Sequence, residues 1–72
     1  MSDDPLVQRL RDWRLQRSRD DGVPAYVVFD NKTLEEIAAR SPSDRGELAA
    51  VPGVGPKKLE QYADEVLDLL RG

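Results

Sequence analysis

The residue types that can bind a phosphate group are concentrated in one stretch, Val51-Pro52-Gly53-Val54-Gly55-Pro56-Lys57-Lys58. A Gly-x-Gly turn that opens a helix lets a ligand approach the backbone, and the first N–H groups of that helix have no partner within it. The positive end of the helix dipole favours an anion there, and Lys57 and Lys58 are unfavourable in the first turn unless they have an anionic partner. The pattern is equally typical of a tight corner between helices with solvated lysines, so both interpretations stay open.

The turn leads into an amphipathic helix that we expect to begin at about Pro56, with Gly55 as N-cap. The apolar side chains that follow recur at helical spacing and form one continuous stripe. This stripe consists of Leu59, Tyr62, Ala63, Val66, Leu69 and Leu70. The outer side of the same helix is acidic and carries Glu60, Asp64, Glu65 and Asp68. The remaining segments must cover the apolar stripe.

Length and composition limit the possible functions. A chain of 72 residues forms one small domain, residues 1–72, near the lower size for a self-sufficient core. It contains no cysteine and no histidine, so we expect no disulfide, no metal site and no cofactor. The net charge is -3, with 11 basic and 14 acidic residues, whereas domains that rely on phosphate contacts are usually basic. Any nucleic-acid binding should therefore be local, weak and sensitive to salt.

The first residues lack a basic targeting region, and the apolar runs are too short to span a membrane. We therefore expect an intracellular protein without a membrane contact. Catalysis is a poor fit, because Ser18, Ser41 and Ser43 have no base partner in view and we expect no deep cleft in a chain of this size. An isolated domain of this kind is expected to be non-catalytic.

The first helix is predicted to run from Pro5 to about Asp21, with Asp3 or Asp4 as cap and Gly22 as a left-handed stop. Its apolar face is formed by Leu6, Leu10 and Trp13, with Val7 at the edge. The position of the tryptophan in this face favours a core anchor over a platform for stacking bases.

This first helix is also the most basic part of the chain. Its arginines are Arg9, Arg11, Arg14, Arg17 and Arg19. Helical spacing spreads them around the axis, so most are expected to be solvated and partly paired with nearby aspartates. Arg14 and Arg17 border the apolar face and could contribute to a site formed with the following loop.

The segment 23–32 has the β-propensity of a strand, yet the chain offers no second strand to pair with it. We expect a buried extended or 3₁₀ connector in which Val27 and Phe29 fill the gap between helices. Tyr26 is either half-buried packing, which we expect by default, or an exposed ring that can stack on a base.

Two capping patterns predict two further short helices. Thr33 with Glu36 is a capping box for a helix that ends at about Ser41, with Leu34, Ile37 and Ala38 facing inward. Asp44 with Glu47 repeats the pattern for a helix with Leu48 and Val51 in the core. This helix, the Gly53 to Gly55 turn and the last helix form a helix-hairpin-helix-like corner.

Seven segments in a fixed order resemble the HRDC domain, the helicase and RNase D C-terminal module. They are Trp13-Arg14, Val23-Pro24-Ala25-Tyr26-Val27-Val28-Phe29, Thr33-Leu34, Glu47-Leu48, Val51-Pro52-Gly53-Val54-Gly55, Lys58-Leu59 and Tyr62. The resemblance covers almost the whole chain and is greatest to the modules of bacterial RecQ-type helicases. It implies an all-α fold, a small five-helix bundle without catalytic activity, monomeric, in the cytoplasm and associated with the bacterial nucleoid.

The resemblance also implies a surface for single-stranded DNA. In HRDC domains that bind DNA, the tyrosine of the Pro-x-Tyr-Val-Val-Phe loop and nearby basic residues form this surface. The matching residues here are Tyr26, Lys32, Lys57 and Lys58. The two arginines at the edge of the first helix, Arg14 and Arg17, and backbone donors of Gly53 and Gly55 extend the candidate site.

Two functions from different classes follow. The first is an accessory domain of an ATP-dependent DNA helicase, most similar to the RecQ type, that modulates binding of its parent to single-stranded or structured DNA. The second is an acidic regulatory module that docks Glu60, Asp64, Glu65 and Asp68 on a basic surface of its own helicase or of a partner and does not bind DNA.

Overall fold

The computed structural model describes residues 4–72, which form five α-helices and, within that range, no strand. The helices are α1 (Pro5–Asp21), α2 (Ala25–Val28), α3 (Asn31–Arg40), α4 (Arg45–Ala49) and α5 (Pro56–Arg71). They pack into a body of 29 × 28 × 21 Å, in which α1 contacts α2, α3 and α5, and α4 packs on α5. The all-α, five-helix prediction is confirmed. Within the described part, no helix combines the length and the apolar character needed to cross a membrane.

The predicted boundaries of α1 are confirmed. The carboxylate of Asp4 accepts a hydrogen bond from the backbone N–H of Leu6 at 2.9 Å, and Pro5 occupies the first turn. Gly22 ends the helix with φ of 67°, and its N–H is bonded to the carbonyl of Arg19 at 3.3 Å. The alternative cap, Asp3, lies outside the described residues.

The connector is neither extended nor 3₁₀, because Ala25–Val28 form one α-helical turn, α2. Its local bonds, from Val27 N to Pro24 O at 3.0 Å and from Phe29 N to Ala25 O at 3.3 Å, satisfy backbone groups that a lone strand would leave unpaired. Phe29 is buried as predicted, but the prediction for Val27 is wrong, since Val27 is 45% exposed. The helical turn directs Val28 into the core instead.

Helix α3 begins earlier than predicted. Asp30, not Thr33, is the N-cap, and its Oδ1 accepts a hydrogen bond from the N–H of Thr33 at 2.8 Å. The predicted capping box is therefore wrong, because the aspartate three residues upstream provides the acceptor. The end of α3 agrees with the prediction, with Ser41 as C-cap.

The corner formed by α4 and α5 agrees with the sequence. Asp44 caps α4 and accepts from the N–H of Glu47 at 2.8 Å, while the Glu47 carboxylate accepts from the N–H of Ser43 at 2.7 Å. Helix α5 begins at Pro56 with Gly55 as N-cap, as expected.

The core lies where the apolar faces of all five helices meet. Fully buried side chains include Leu10 of α1, Ile37 of α3, Leu48 of α4 and Val66 of α5. Three aromatic rings pack at the centre of the α1, α2 and α5 contact, with centroid distances of 5.6 to 6.0 Å; they are Trp13, Phe29 and Tyr62. The tryptophan is partly buried against this core, as predicted. The apolar stripe of α5 is thereby covered.

Candidate nucleic-acid interface

Tyr26 is the most exposed large apolar side chain among the described residues, at 68%. It lies in the single turn of α2, directly before Val27 and the buried pair Val28 and Phe29. The buried pair anchors the turn while the tyrosine ring faces solvent. The default expectation from the sequence, half-buried packing, is therefore wrong. The ring is exposed, which is the state that base stacking requires.

The first turn of α5 lies beside this loop. The Nζ atom of Lys58 is 5.5 Å from the centroid of the Phe29 ring, within cation–π distance. Lys57 and Lys58 form one wall of an open groove of about 620 Å³, and Val23 and Val27 contribute apolar surface to it. The groove brings two lysines from the end of the sequence next to the α2 turn that carries Tyr26.

Lys32, in the first turn of α3, lies at a separate depression. It lines a second depression, of about 370 Å³, together with Asp30, Pro52 and Gly53. Hydrogen bonds from Thr33 lower the pKa of Asp30, and the positive charges of Lys58 and Lys32 lower it further. Both lysines therefore act on the same carboxylate at the N-terminus of α3. We call Tyr26, Lys32, Lys57 and Lys58 the Tyr26 surface.

The glycine turn is placed against α3. Gly53 has φ of 94°, and a Cβ atom there would overlap with Oγ1 of Thr33 and lie 3.2 Å from the Cβ of the same residue. Only glycine fits this close approach, which holds the turn beside Lys32. Gly55 has an ordinary φ of -83° and caps α5 without a side chain, so its role is to open the helix.

Arg14 and Arg17 border the site but are both engaged inside the fold. Arg14 donates from Nη1 to the carbonyl of Phe29 at 3.0 Å, and burial lowers its pKa. Arg17 donates from Nη2 to Oδ1 of Asp21 at 2.7 Å and lies over the ring of Tyr62 at 5.7 Å. Arg17 also lines the groove of Lys57 and Lys58, so the sequence placed it correctly next to the loop.

A polar network joins α1 to α5 at the back of the groove. The Tyr62 hydroxyl donates to Oδ2 of Asp21 at 2.9 Å, and Trp13 Nε1 donates to Oε1 of Glu65 at 3.2 Å. Arg17 connects the two pairs, with its Nε 4.0 Å from Oε2 of Glu65. We call Trp13, Arg17, Asp21, Tyr62 and Glu65 the α1–α5 seam. The sequence analysis did not predict this seam. A signal for it is present in the sequence, because a tyrosine in an apolar stripe buries a hydroxyl group that needs a hydrogen-bond partner.

The acidic residues of α5 do not form one free stripe. Glu65 belongs to the seam, Asp64 is 2.9 Å from Arg45 Nη2, and Asp68 is 3.5 Å from Arg71 Nη1. These pairs are solvent-exposed and individually weak. Among the described residues, Glu60 has no cation within 4.0 Å, so it is the one carboxylate of this set without a basic neighbour at that distance.

The chain is similar in sequence to parts of DNA helicases. The chain is 49% identical over 70 residues to the ATP-dependent DNA helicase UvrD2 of Mycobacterium tuberculosis, and 36% identical over 69 residues to the ATP-dependent DNA helicase RecQ of Pasteurella multocida. These matches cover 97% and 96% of this chain but only 10% and 11% of the relatives. The chain therefore corresponds to about one tenth of each helicase.

The fold comparison agrees. The third HRDC domain of RecQ from D. radiodurans superposes with a TM-score of 0.92 at 41% identity, covering 99% of this chain and 93% of that one. A family model for the HRDC domain matches residues 3–70. With this match over nearly its whole length, the chain belongs to the HRDC domain family.

Proposed function

We propose that this chain is a non-catalytic accessory domain of an ATP-dependent DNA helicase, which it helps to engage single-stranded or structured DNA. The proposal is supported by its membership of the HRDC family and by the helicases that contain its relatives. The described residues offer no group of three or more metal-binding side chains, and the chain has no histidine or cysteine to act as nucleophile or base. We therefore propose a binding function for this surface.

The Tyr26 surface is the proposed contact with single-stranded DNA. The observation that carries the proposal is the exposed tyrosine, 68% accessible, beside a groove whose wall is formed by Lys57 and Lys58. A base can stack on the ring while the lysines meet the adjacent phosphates, the combination used for single strands without strong sequence preference. The N-terminus of α5, capped by no side chain, lies at the same groove.

Affinity should be modest and salt-dependent. Each lysine that meets a phosphate releases counterions, and only three lysines belong to the surface, so the slope of log K against log salt should be shallow. The overall charge of -3 opposes the approach of DNA. The arginine of the seam adds little, because Arg17 is already paired with Asp21.

Fluorescence anisotropy of a labelled oligothymidine, titrated with the domain at low salt, tests the proposal. Tyr26→Ala should weaken binding by about fivefold or more, since stacking contributes about 1–3 kcal/mol per base. Lys58→Glu should weaken it by about the same factor or more, because it replaces a phosphate contact with a negative charge. Leu15→Ala is the matched control for an exposed apolar residue, and Arg71→Glu is the control for charge, because Arg71 lies at the opposite end of α5. Absence of saturable binding, or equal effects in variants and controls, would exclude the proposal.

The acidic regulatory module is the second candidate. It is supported by the net charge and by the exposure of Asp64 and Asp68, whose side chains are 82% and 77% accessible. In this function Glu60, Asp64, Glu65 and Asp68 would dock on a basic surface of the parent helicase. Deletion of the domain from the parent distinguishes the two candidates: weaker DNA binding supports the accessory function, whereas tighter binding or faster unwinding supports the regulatory one.

A further inference from the structure

Three cations of the candidate site surround one carboxylate, that of Asp30. Arg14 donates to the carbonyl of Phe29, the residue directly before Asp30, and Lys58 lies over the ring of the same phenylalanine. Lys32, two residues further along, lines the same depression as Asp30. Lys32 is local to α3, whereas Arg14 comes from α1 and Lys58 from α5, so the fold brings two of the three cations to this position.

The Asp30 carboxylate is held in place by a hydrogen bond, and among the described residues it forms no salt bridge with these cations. Its Oδ1 accepts the N–H of Thr33 at 2.8 Å as the N-cap of α3. Among the described residues, no Lys or Arg nitrogen lies within 4.0 Å of it, so its charge acts on the three cations through space. Lys32 and Lys58 therefore keep their donors available for another anion, while Asp30 supplies a fixed negative charge in the depression that Lys32 lines and directly after the residue that Lys58 contacts.

We infer that Asp30 is a specificity-determining residue of the Tyr26 surface, whose fixed carboxylate opposes phosphate between Lys32 and Lys58 and so keeps the affinity for DNA low. This inference rests on the proposed binding of DNA by that surface. A phosphate that pairs with either lysine meets a like charge close by, and like charges at short range cost binding free energy even in water. A base stacked on Tyr26 carries no charge and is not opposed in this way. The carboxylate thus weakens the phosphate contacts but not the stacking, so that stacking supplies a larger share of the binding free energy.

Capping and charge can be separated at this position. Asparagine and serine are N-caps of similar quality to aspartate, and neither carries a charge. Asp30→Asn and Asp30→Ser should therefore keep α3 intact and remove only the field of the carboxylate. Asp44→Asn is the matched control, because Asp44 caps α4 through a bond of the same length, 2.8 Å, and lines neither depression of the site.

The experiment measures the Kd of labelled oligothymidine for the wild type and the three variants over a series of salt concentrations, with thermal unfolding by circular dichroism to confirm folding. Asp30→Asn and Asp30→Ser should tighten binding by about fivefold at low salt, the factor expected for one unit charge removed at about 4 Å in water. The gain should shrink as salt is raised, because exposed charges are screened. Asp44→Asn should bind like the wild type.

The outcomes separate this inference from the proposed function. If the wild type binds and the Asp30 variants bind no more tightly, or if Asp44→Asn gains as much, the role of Asp30 is wrong while the DNA surface stands. If the wild type does not bind but Asp30→Asn does, with loss on adding Tyr26→Ala, Asp30 acts as inferred and the proposed DNA function of this chain fails. If no variant binds, both are overturned.

Discussion

The α1–α5 seam and the Tyr26 surface are built from the same residue types and are used differently. Each contains a tyrosine and at least one cation, and each borders the groove between α1 and α5. In the seam, Tyr62 is 6% exposed and its hydroxyl is bonded to Asp21, which also pairs with Arg17. On the surface, Tyr26 is 68% exposed, and the nearby lysines have no carboxylate within 4.0 Å among the described residues.

The comparison shows that residue type alone does not indicate which side chains are available to a ligand. What matters is whether their polar groups already have partners within the fold. Arg17 is bound by its own fold, so it stabilises the contact of α1 with α5 and has little left for a ligand. Lys57 and Lys58 lie in the first turn of α5, where cations are unfavourable to the helix unless an anion is near. Such uncompensated cations are more informative about binding than the basic helix α1.

The largest contrast is expected between the two tyrosines. Tyr62→Ala removes a buried ring that contacts Trp13 and Phe29 and should lower the free energy of unfolding by about 3–5 kcal/mol. Tyr26→Ala should change it by less than about 0.5 kcal/mol, because the side chain is exposed. Denaturant unfolding followed by circular dichroism measures both. Equal losses would show that Tyr26 belongs to the core and that the comparison is wrong.

The next effect concerns the glycine turn. Gly53→Ala should cost about 1–3 kcal/mol, since alanine is strained at φ of 94° and its Cβ would press on Thr33. Gly46→Ala is the matched control and should stabilise the domain by up to about 1 kcal/mol, because Gly46 lies inside α4 and the added Cβ makes only an ordinary contact. Thermal unfolding of both variants shows whether each substitution lowers or raises the stability of the domain. A neutral Gly53→Ala would show that the turn can move away from α3.

Sequence reasoning located most of the fold because the boundary signals are local. Asp4, Pro5 and Gly22 bound α1, and Gly55 with Pro56 opens α5, each through the capping chemistry of that residue type. It failed at α2, because Val and Phe have β-propensity and only the missing partner strand argued against a strand. It also assigned the cap of α3 to Thr33, since the Thr-x-x-Glu pattern is present but the competing aspartate three residues earlier is a better acceptor.

The residues of the candidate site stay a prediction, and their states could not be predicted from the sequence. The sequence named Tyr26, Lys32, Lys57 and Lys58. The structure leaves Tyr26 exposed, places Lys57 and Lys58 at the groove with Val27, and places Lys32 at the second depression. The pairing of Arg17 with Asp21 is local, at i and i+4, and agrees with the expected pairing of arginines with nearby aspartates. The bond from Tyr62 to Asp21 joins residues 41 positions apart, so no local pattern could show it. Other contacts between distant segments bring Arg14 and Lys58 to Phe29, next to Asp30, which the sequence did not single out.

A smaller effect separates Arg17 from Lys58, two of the cations that line the groove. Arg17→Gln should lower the free energy of unfolding by about 1 kcal/mol, because it breaks the partly exposed bond to Asp21 and the contact with the Tyr62 ring. It should leave DNA binding nearly unchanged. Lys58→Gln should do the reverse, with stability within about 0.5 kcal/mol of the wild type and weaker DNA binding. Denaturant unfolding measures the stability of both variants, and fluorescence anisotropy measures their DNA binding. If Arg17→Gln lost as much binding as Lys58→Gln, the arginine would belong to the DNA surface.

The smallest effect is a change in pH dependence that tests whether the seam is sealed from water. Burial raises the pKa of Tyr62 above its ordinary value of 10.0, and the hydrogen bond to Asp21 raises it further. A group whose pKa is higher in the folded state contributes stability that is fully present below its unfolded pKa and is lost as pH rises through its folded pKa. The wild type should therefore lose stability as pH rises above about 10, and Tyr62→Phe should lose less over the same interval.

At neutral pH Tyr62→Phe should cost only about 0.5 kcal/mol, because the ring still fills the core and the exposed carboxylate of Asp21 keeps Arg17 as a partner. Urea unfolding at a series of pH values from neutral to strongly alkaline measures the two curves, with Tyr26→Phe as the control for loss of an exposed hydroxyl. Parallel curves for wild type and Tyr62→Phe would mean that the Tyr62 hydroxyl is open to solvent. The seam would then be part of the ligand groove rather than its rigid back wall, and Arg17 would have to be counted with the lysines.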